Sequence, residues 1–221
     1  MDKQIKSRER VAVHGEVFTN EREVNAMLDL VKSETDRVES RFLEPACGDG
    51  NFLAEILRRK LKRVKRQYGK SSSNYSRNAF LALTSIYGID IQEDNVHECQ
   101  NRLFDIWNSD YSTQVKEAQD QVREAAHFIL KKNILCGDAL TLLRNDGTPI
   151  IFAQWDFIQG DKIKRRDYKL DALMKTSDRV MDLEMYMNGW KVDAETHEWI
   201  PAPIKEFVPL DYWEVQHAAE T

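Results

Sequence analysis

The segment that most constrains the fold is LEPACGDGNF at residues 43–52, where a short apolar run meets a loop with two glycines and then a helix-like sequence. Gly48 and Gly50 can adopt the positive φ values of a tight turn, and they let a ligand approach the backbone closely. The helix that follows offers unpaired N–H groups to an anionic ligand. This order is typical of a nucleotide-type binding site. The alternative is a glycine turn that only packs a strand against a helix.

Two later predicted strands also run into acidic residues, Asp90 and Asp138. In an open parallel sheet the carboxyl ends of the strands share one edge, and ligands bind outside that edge. Asp90 can accept hydrogen bonds from the hydroxyls of a ribose, and Asp138 can accept one from an exocyclic adenine amine. The agreement of three strand ends favours one shared ligand site. Asp49 is a candidate fourth member, or alternatively a cap for the helix that begins at Asn51.

Helix-like segments alternate with short apolar runs over the first two thirds of the chain. The helix-like segments cover residues 21–38, 51–67, 93–108 and 114–132, and the apolar runs cover residues 41–45, 85–90 and 134–136. This alternation predicts a parallel sheet flanked by helices, which is an α/β fold. The sequence GKSSSN at residues 69–74 has the composition of a surface linker.

In the last third of the chain the pattern changes. Two extended runs meet near Gly160 and Asp161, which predicts an antiparallel hairpin, and residues 189–209 are extended and irregular. We therefore expect an α/β domain over residues 1–148. Residues 149–221 are expected to form a C-terminal β-hairpin and irregular extension packed on the same domain.

Four short motifs resemble those of the N6-adenine DNA methyltransferases of restriction–modification systems. GEVFT at residues 15–19 resembles the family's G-x-[FY]-[FY]-T motif. The glycine loop resembles its D-P-A-C-G-S-G-x-F loop, with Glu44 and Asp49 as departures. YGIDI at residues 87–91 and ILCGDAL at residues 134–140 resemble its G-x-[DE]-[IL] and G-D motifs. This motif order is similar to that of the modification subunits of restriction systems.

The resemblance implies a shortened, Rossmann-like class I methyltransferase fold with an antiparallel C-terminal tail, and S-adenosyl-L-methionine as cofactor. It implies that Gly15 and Thr19 hold the methionine end, that Asp90 binds the ribose and that Asp138 binds the adenine amine. The complete cofactor-binding set implied in this way is Gly15, Phe18, Thr19, Glu44, Pro45, Ala46, Gly48, Gly50, Asp90, Ile91, Asp138 and Ala139.

The family's catalytic motif, [DNS]-P-P-[YF], is expected where this chain has FIQGDK at residues 157–162. In that motif a side-chain oxygen and a backbone carbonyl accept from the adenine amine, and an aromatic ring stacks on the flipped base. Asp161 stands near the place of the polar residue and is the candidate catalytic residue, with Tyr168 as the nearby aromatic candidate. A hairpin turn at Gly160 and Asp161 is the alternative interpretation.

Residues 58–70 contain eight basic residues and no acidic one, a charge of +8. Because the net charge of the whole chain is −5, the other residues together carry −13. A helix of this charge attracts phosphates, which suggests DNA binding. The alternative is a solvated helix face with cations near the helix C-terminus. A smaller basic cluster at residues 162–169 is interrupted by acidic residues. The predicted nucleic-acid-binding residues are Arg58, Arg59, Lys62, Arg63, Lys65 and Arg66.

Composition argues against several other classes of protein. No run approaches the roughly 20 apolar residues of a membrane helix, and the N-terminus lacks the apolar core of a signal peptide. Cys47, Cys99 and Cys136 are far apart, which disfavours a disulfide framework or a zinc site and suggests a reducing cytoplasm. We therefore expect a cytoplasmic protein without a metal or a membrane contact. Because the tail is short for a target-recognition domain, we expect either a partner or specificity subunit or largely non-specific methylation.

These observations predict S-adenosylmethionine-dependent methyl transfer to the N6 amine of adenine in DNA, in a restriction–modification or phage context. The amine would attack the sulfonium methyl directly, helped by positioning. The missing Pro-Pro-aromatic motif favours an alternative, a catalytically inactive cofactor-binding pseudo-methyltransferase that acts as a partner or regulatory subunit. Methylation of RNA or protein is a third alternative.

Overall fold

The computed structural model describes residues 6–174, 190–192 and 199–221. The helices are α1 (Arg8–His14), α2 (Glu21–Leu30), α3 (Lys32–Thr35), α4 (Asn51–Tyr68), α5 (Ser72–Thr84), α6 (Glu93–Gln114), α7 (Asp120–Asn133), α8 (Leu170–Met174) and the 3-10 helix η1 (Tyr212–His217). The strands are β1 (Phe42–Glu44), β2 (Ile86–Asp90), β3 (Ile134–Cys136), β4 (Ile151–Phe157), β5 (Lys162–Lys169), β6 (Trp190–Val192), β7 (Trp199–Pro201), β8 (Lys205–Glu206) and β9 (Leu210–Asp211). None of the helices in this part of the chain is long and apolar enough to span a membrane.

A parallel sheet of order β1-β2-β3 lies at the centre of the first two thirds of the chain. Helices α4 and α5 connect β1 to β2, and α6 and α7 connect β2 to β3. The predicted α/β class with a parallel sheet is therefore confirmed. In the register, Glu44 is paired with Gly88 and Asp90 with Cys136, so the three carboxyl ends lie at one edge. This edge is where a parallel sheet binds ligands.

The helices pack on this sheet through apolar faces of helical spacing. In α4 the buried residues recur three or four positions apart, for example Leu53, Leu57, Leu61 and Val64. All four belong to a hydrophobic core whose largest buried side chains include Trp107. Burial of these side chains is the main stabilising contribution, at roughly 1.5–3 kcal/mol for each fully buried Leu or Val.

The hairpin predicted near Gly160 and Asp161 is confirmed, because β4 pairs antiparallel with residues 163–169 of β5. Strands β8 and β9 extend this second sheet by pairing with β5. Two buried hydrogen bonds join it to the parallel layer. Tyr87 Oη donates to the Ala153 carbonyl at 2.9 Å, and Trp155 Nε1 donates to Asn133 Oδ1 at 2.8 Å.

Two sequence-based expectations about the helices and loops were wrong. The expected linker at residues 69–74 ends early, because the Ser71 side chain accepts from the Asn74 N–H and caps a helix that begins at Ser72. The expected helix over residues 21–38 is divided, since α2 ends at Leu30. Of the extended run expected over residues 189–209, residues 193–198 and residue 189 lie outside the described residues.

Lys60 is the one member of the basic run whose side chain is fully buried, with 0% exposure. Its ammonium donates to the Val38 carbonyl at 2.8 Å, to Ser85 Oγ at 2.7 Å and to the Ser40 carbonyl. It thereby joins α4 to the segments that precede β1 and β2. Burial lowers the pKa of Lys60 to about 7, although Glu39 and Glu34 raise it.

We predict that Lys60→Met changes the pH dependence of stability. From about pH 7 up to the ordinary lysine pKa, the unfolded wild-type chain binds a proton that the folded chain does not. The wild-type free energy of unfolding should therefore rise with pH, by at most about 1.4 kcal/mol per pH unit, relative to Lys60→Met. Urea unfolding at pH 7, 8, 9 and 10 measures this difference. The exposed Lys62→Met is the control, and a pH-independent difference for Lys60→Met would contradict the prediction.

Candidate functional site

A cavity of about 700 Å³ opens at the carboxyl edge of the parallel sheet. This volume is typical of a site for a cofactor-sized molecule. The last residues of β1 and β2, the residues that follow β3 and the segment between α1 and α2 contribute to its wall. The predicted cofactor residues that line it are Gly15, Phe18, Thr19, Glu44, Pro45, Ala46, Gly48, Asp90, Ile91, Asp138 and Ala139. The structure thus brings together residues that are more than 120 positions apart in the sequence.

The glycine loop after β1 is held against β2 by backbone hydrogen bonds. The Cys47 N–H donates to the Ile89 carbonyl at 2.8 Å, and the Gly48 N–H donates to Asp90 Oδ2 at 2.9 Å. Gly48 has a φ of +53°, and a Cβ there would lie 2.9 Å from Phe18 Cε1. A glycine is therefore required for the loop to turn and for Phe18 to pack on it.

Asp90, at the end of β2, connects the loop to helix α6. Its Oδ1 accepts from the Gln92 N–H at 2.8 Å and from Asn95 Nδ2 at 3.1 Å. With the Gly48 N–H on Oδ2, three donors converge on this carboxylate. Asp90 therefore stabilises the wall of the cavity, whether or not it also binds a ligand.

The segment between α1 and α2 reaches the cavity through a network of charges. Asn95 Nδ2 donates to Glu16 Oε1 at 2.9 Å, and Glu16 is paired with Arg10. Arg10 is in turn paired with Asp94 at 2.5 Å, and this guanidinium lowers the pKa of Asp94. Asn51 Nδ2 also donates to the Thr19 carbonyl, at 3.1 Å. These contacts hold residues 15–19 against α4 and α6.

The other two strand ends supply carboxylates as well. Asp138 follows β3, and its Oδ1 accepts from the Leu140 N–H at 2.8 Å. The carboxylate can still accept hydrogen bonds from further donors. Glu44 ends β1, and burial raises its pKa. The cavity therefore presents acceptors from each strand of the parallel sheet, a chemistry that suits a ligand with hydroxyl, amine or ammonium groups.

Gly50 differs from the other predicted cofactor residues because it does not line this cavity. It has a φ of +91° and precedes α4, and a Cβ there would lie 2.7 Å from Cys99 Sγ. Cys99 is fully buried against the loop residue Cys47, and this contact together with burial raises the pKa of Cys47. Gly50 thus permits close packing of the loop on α6.

Asp49 lies between the cofactor-sized cavity and a second cavity of about 700 Å³ next to it. Arg102 contacts Asp49 Oδ2 at 3.3 Å and donates to Asn51 Oδ1 at 2.7 Å. Asp49 does not act as a helix cap, because Gly50 precedes α4 and no side chain caps that helix. Of the two sequence interpretations of Asp49, the structure supports its position at the site.

The structure does not bring Asp161 to the cavity. The Asp161 carbonyl accepts from the Tyr212 N–H at 3.0 Å, and its carboxylate lies 3.9 Å from Arg77 of α5. On the same hairpin, Asp156 is paired with Arg41, which precedes the amino end of β1. The hairpin turn therefore lies toward the amino ends of the parallel strands. Tyr168 is buried on β5 and does not line the cavity either.

The basic run on α4 presents fewer cations to solvent than its sequence indicates. Lys60 is buried, and Arg59 pairs with Asp29 at 2.9 Å and with Glu55 at 3.0 Å. The exposed members on this helix, called here the α4 basic face, are Arg58, Lys62, Arg63, Lys65 and Arg66. The smaller cluster on β5 is largely paired with carboxylates, as in the buried pair of Arg165 and Asp167.

Sequence reasoning missed Glu16 and Asn95, which connect the cavity wall to α1 and α6. A signal for Asn95 exists in the sequence. It stands four positions before Cys99 and eight before Leu103, on the apolar face of α6. A polar residue at such a position requires hydrogen-bonding partners in the interior.

The model of one protein family, described as MmeI, DNA-methyltransferase domain, matches residues 18–197 of the chain. This match covers more than half of the sequence and includes most of the cavity wall. No curated protein matches the chain significantly, and no solved structure does.

The packing of Gly50 generates a prediction about stability. Gly50→Ala should lower the free energy of unfolding by about 2–5 kcal/mol, since it combines a left-handed backbone with a collision at Cys99. Gly147→Ala is the matched control, because Gly147 has a φ of +79° with nothing within 4 Å of a Cβ. Its loss should be about 1–2 kcal/mol. Urea unfolding compares the two, and equal losses would contradict the packing argument.

Proposed function

Because the chain belongs to the MmeI DNA-methyltransferase domain family, we propose that it binds S-adenosyl-L-methionine in the cavity at the carboxyl edge of the parallel sheet. We further propose that it transfers a methyl group to the N6 amine of adenine in DNA, in a restriction–modification or phage context. The observation that carries this proposal is the convergence of the motif residues on one cavity. The parallel sheet between helices supports a Rossmann-like class I fold.

The residues of the cavity fit this cofactor. Its ribose and adenine carry hydrogen-bond donors, and Asp90 and Asp138 offer carboxylates at neighbouring strand ends. Its methionine end carries an ammonium group, for which Glu44 supplies an acceptor in the wall of the same cavity as Thr19. Gly15 and Gly48 contribute backbone to the wall without a side chain, and Ile91 and Ala139 contribute apolar surface.

The chemistry that the cofactor supplies when bound is a sulfonium methyl group open to nucleophilic attack. The contribution of this chain is positioning, which can lower a barrier by several kcal/mol when the reacting groups are aligned. The loop at Gly48 is held by Asp90, and residues 15–19 are held by the network through Glu16. These contacts preorganise the cavity wall.

Residues 1–148 form, in this proposal, the cofactor-binding part, and residues 149–221 an extension packed on the same domain. The buried bonds of Tyr87 to Ala153 and of Trp155 to Asn133 support this division. The α4 basic face is proposed to contact DNA phosphates, because it gathers exposed cations on one helix. Sequence specificity is proposed to depend on a partner or specificity subunit.

The position of Asp161 supports a second candidate function. An acceptor for the adenine amine belongs beside the methyl donor, whereas Asp161 lies with Arg77 and Tyr212. The assignment of Asp161 as the catalytic residue therefore has no support from the geometry. A cofactor-binding pseudo-methyltransferase, which acts as a partner or regulatory subunit, would keep the cavity without this acceptor.

We predict that Asp90→Ala weakens the binding of S-adenosylmethionine by about 10- to 100-fold. The variant removes a charged acceptor and releases the Gly48 N–H. Isothermal titration calorimetry measures the effect. Asp161→Ala is the matched control and should bind like the wild type. Undetectable binding to the wild-type chain would refute the cofactor proposal.

Transfer of labelled methyl groups to DNA separates the two candidate functions. Duplex and single-stranded DNA should incorporate label, and DNA whose adenines are already N6-methylated should not. Cofactor binding without any transfer to DNA would favour the pseudo-methyltransferase.

We predict that Lys62→Glu with Lys65→Glu weakens DNA binding and lowers its salt dependence. The plot of log affinity against log salt concentration has a negative slope. If both side chains contact phosphates, the magnitude of this slope should decrease by about two in the double variant. Lys116→Glu with Lys131→Glu is the matched control, since it makes the same charge change at exposed positions of other segments. Fluorescence anisotropy at several salt concentrations compares them. Equal effects of the two pairs would exclude the α4 basic face as the DNA contact.

A further inference from the structure

The hydrogen-bonding capacity of Asp90 is nearly filled by the protein itself. A carboxylate has about four acceptor sites, two on each oxygen. Oδ1 accepts from the Gln92 N–H and from Asn95 Nδ2, and Oδ2 accepts from the Gly48 N–H. One acceptor site is therefore left on Oδ2. A ribose has two hydroxyl donors, so Asp90 in this arrangement can accept from only one of them.

Asn95 carries an acceptor that could take the second hydroxyl. Asn95 is one of the residues that line the cavity, and it is only 1% exposed. The amide nitrogen donates to two carboxylates, Glu16 at 2.9 Å and Asp90 at 3.1 Å. Because an amide oxygen cannot donate to these carboxylates, the assignment of nitrogen and oxygen is determined by the network.

The amide oxygen of Asn95 is buried and has no hydrogen-bond partner among the described residues. A buried acceptor without a donor costs about 1–3 kcal/mol, so each one in a native protein requires a physical explanation. A donor on a bound ligand would recover this free energy. Because Asn95 bonds directly to Asp90, a ribose bound at Asp90 would lie beside Asn95 as well.

We propose that Asn95 is a ribose-binding residue, which accepts one hydroxyl of the cofactor through Oδ1 while Asp90 accepts the other. This inference rests on the proposed function, because it requires an adenosine-type cofactor in the cavity. Through Nδ2, Asn95 also positions Asp90 and Glu16. The acceptor and the positioning function make different predictions for ribose analogues.

The first test needs no variant. Calorimetry with S-adenosylhomocysteine and its 2′-deoxy and 3′-deoxy analogues measures the contribution of each hydroxyl in the wild-type protein. We expect each deoxy analogue to bind about five- to tenfold more weakly, as for the loss of one hydrogen bond. If removal of one of the two hydroxyls leaves the affinity unchanged, the pair of acceptors is refuted.

The second test uses Asn95→Ala with the same three ligands. We call the loss of affinity from S-adenosylhomocysteine to a deoxy analogue, measured with one protein, the deoxy penalty. In Asn95→Ala we expect S-adenosylhomocysteine to bind more weakly than to the wild type and one of the two deoxy penalties to disappear. The other deoxy penalty should equal that of the wild type. If both penalties persist in Asn95→Ala, Asn95 only positions Asp90 and the acceptor proposal is overturned.

Asn133→Ala is the matched control for the loss of a buried amide. Asn133 is also fully buried, but its amide bonds to backbone carbonyls and to Trp155 at a distance from the cavity wall. This variant should unfold at a lower temperature than the wild type. It should bind S-adenosylhomocysteine with the wild-type affinity and show both deoxy penalties. Wild-type protein that binds none of the three ligands would refute the proposed function itself, which is a different result from an unchanged penalty in Asn95→Ala.

Discussion

The carboxylate of Asp90 is the contact on which the arrangement of the site depends. It accepts from the Gly48 N–H in the loop after β1, from the Gln92 N–H and from the Asn95 amide of α6. Asn95 extends the connection to Glu16 and so to Arg10 of α1. Asp90 and Asn95 together thus connect the loop, the helix and the N-terminal segment. Because charged hydrogen bonds in a partly buried place are strong, this contact holds the cavity wall in one geometry.

The C-terminal third of the chain gives the molecule a second sheet, and no residue of its strands β4, β5, β8 and β9 lines the cavity at the carboxyl edge. Strands β4 and β5 pair with each other along their length, and the turn between them is held by Arg77 and Tyr212. This arrangement directs Asp161 away from the carboxyl edge of the parallel sheet. Membership in a DNA-methyltransferase family and a cavity suited to a cofactor therefore coexist with a displaced catalytic candidate.

Net charge was a poor guide to the surface of this protein. The basic run on α4 includes Lys60, whose ammonium bonds to carbonyls in the interior, and Arg59, which is paired with Asp29 and Glu55. The remaining cations of the helix face solvent. The net charge counts buried, paired and exposed cations alike. Only the exposed cations without a carboxylate partner attract phosphates over a distance.

The sequence by itself determined the order of helices and parallel strands and the residues at the strand ends. These depend on local periodicity and on turn residues such as Gly48, which act over a few positions. Tertiary structure alone decided that Lys60 is buried and that Asp161 does not line the cavity. It also decided that Asn95 joins Asp90 to Glu16. The physical reason is that burial and hydrogen-bond partners are set by residues distant in sequence, whose contacts no local pattern records.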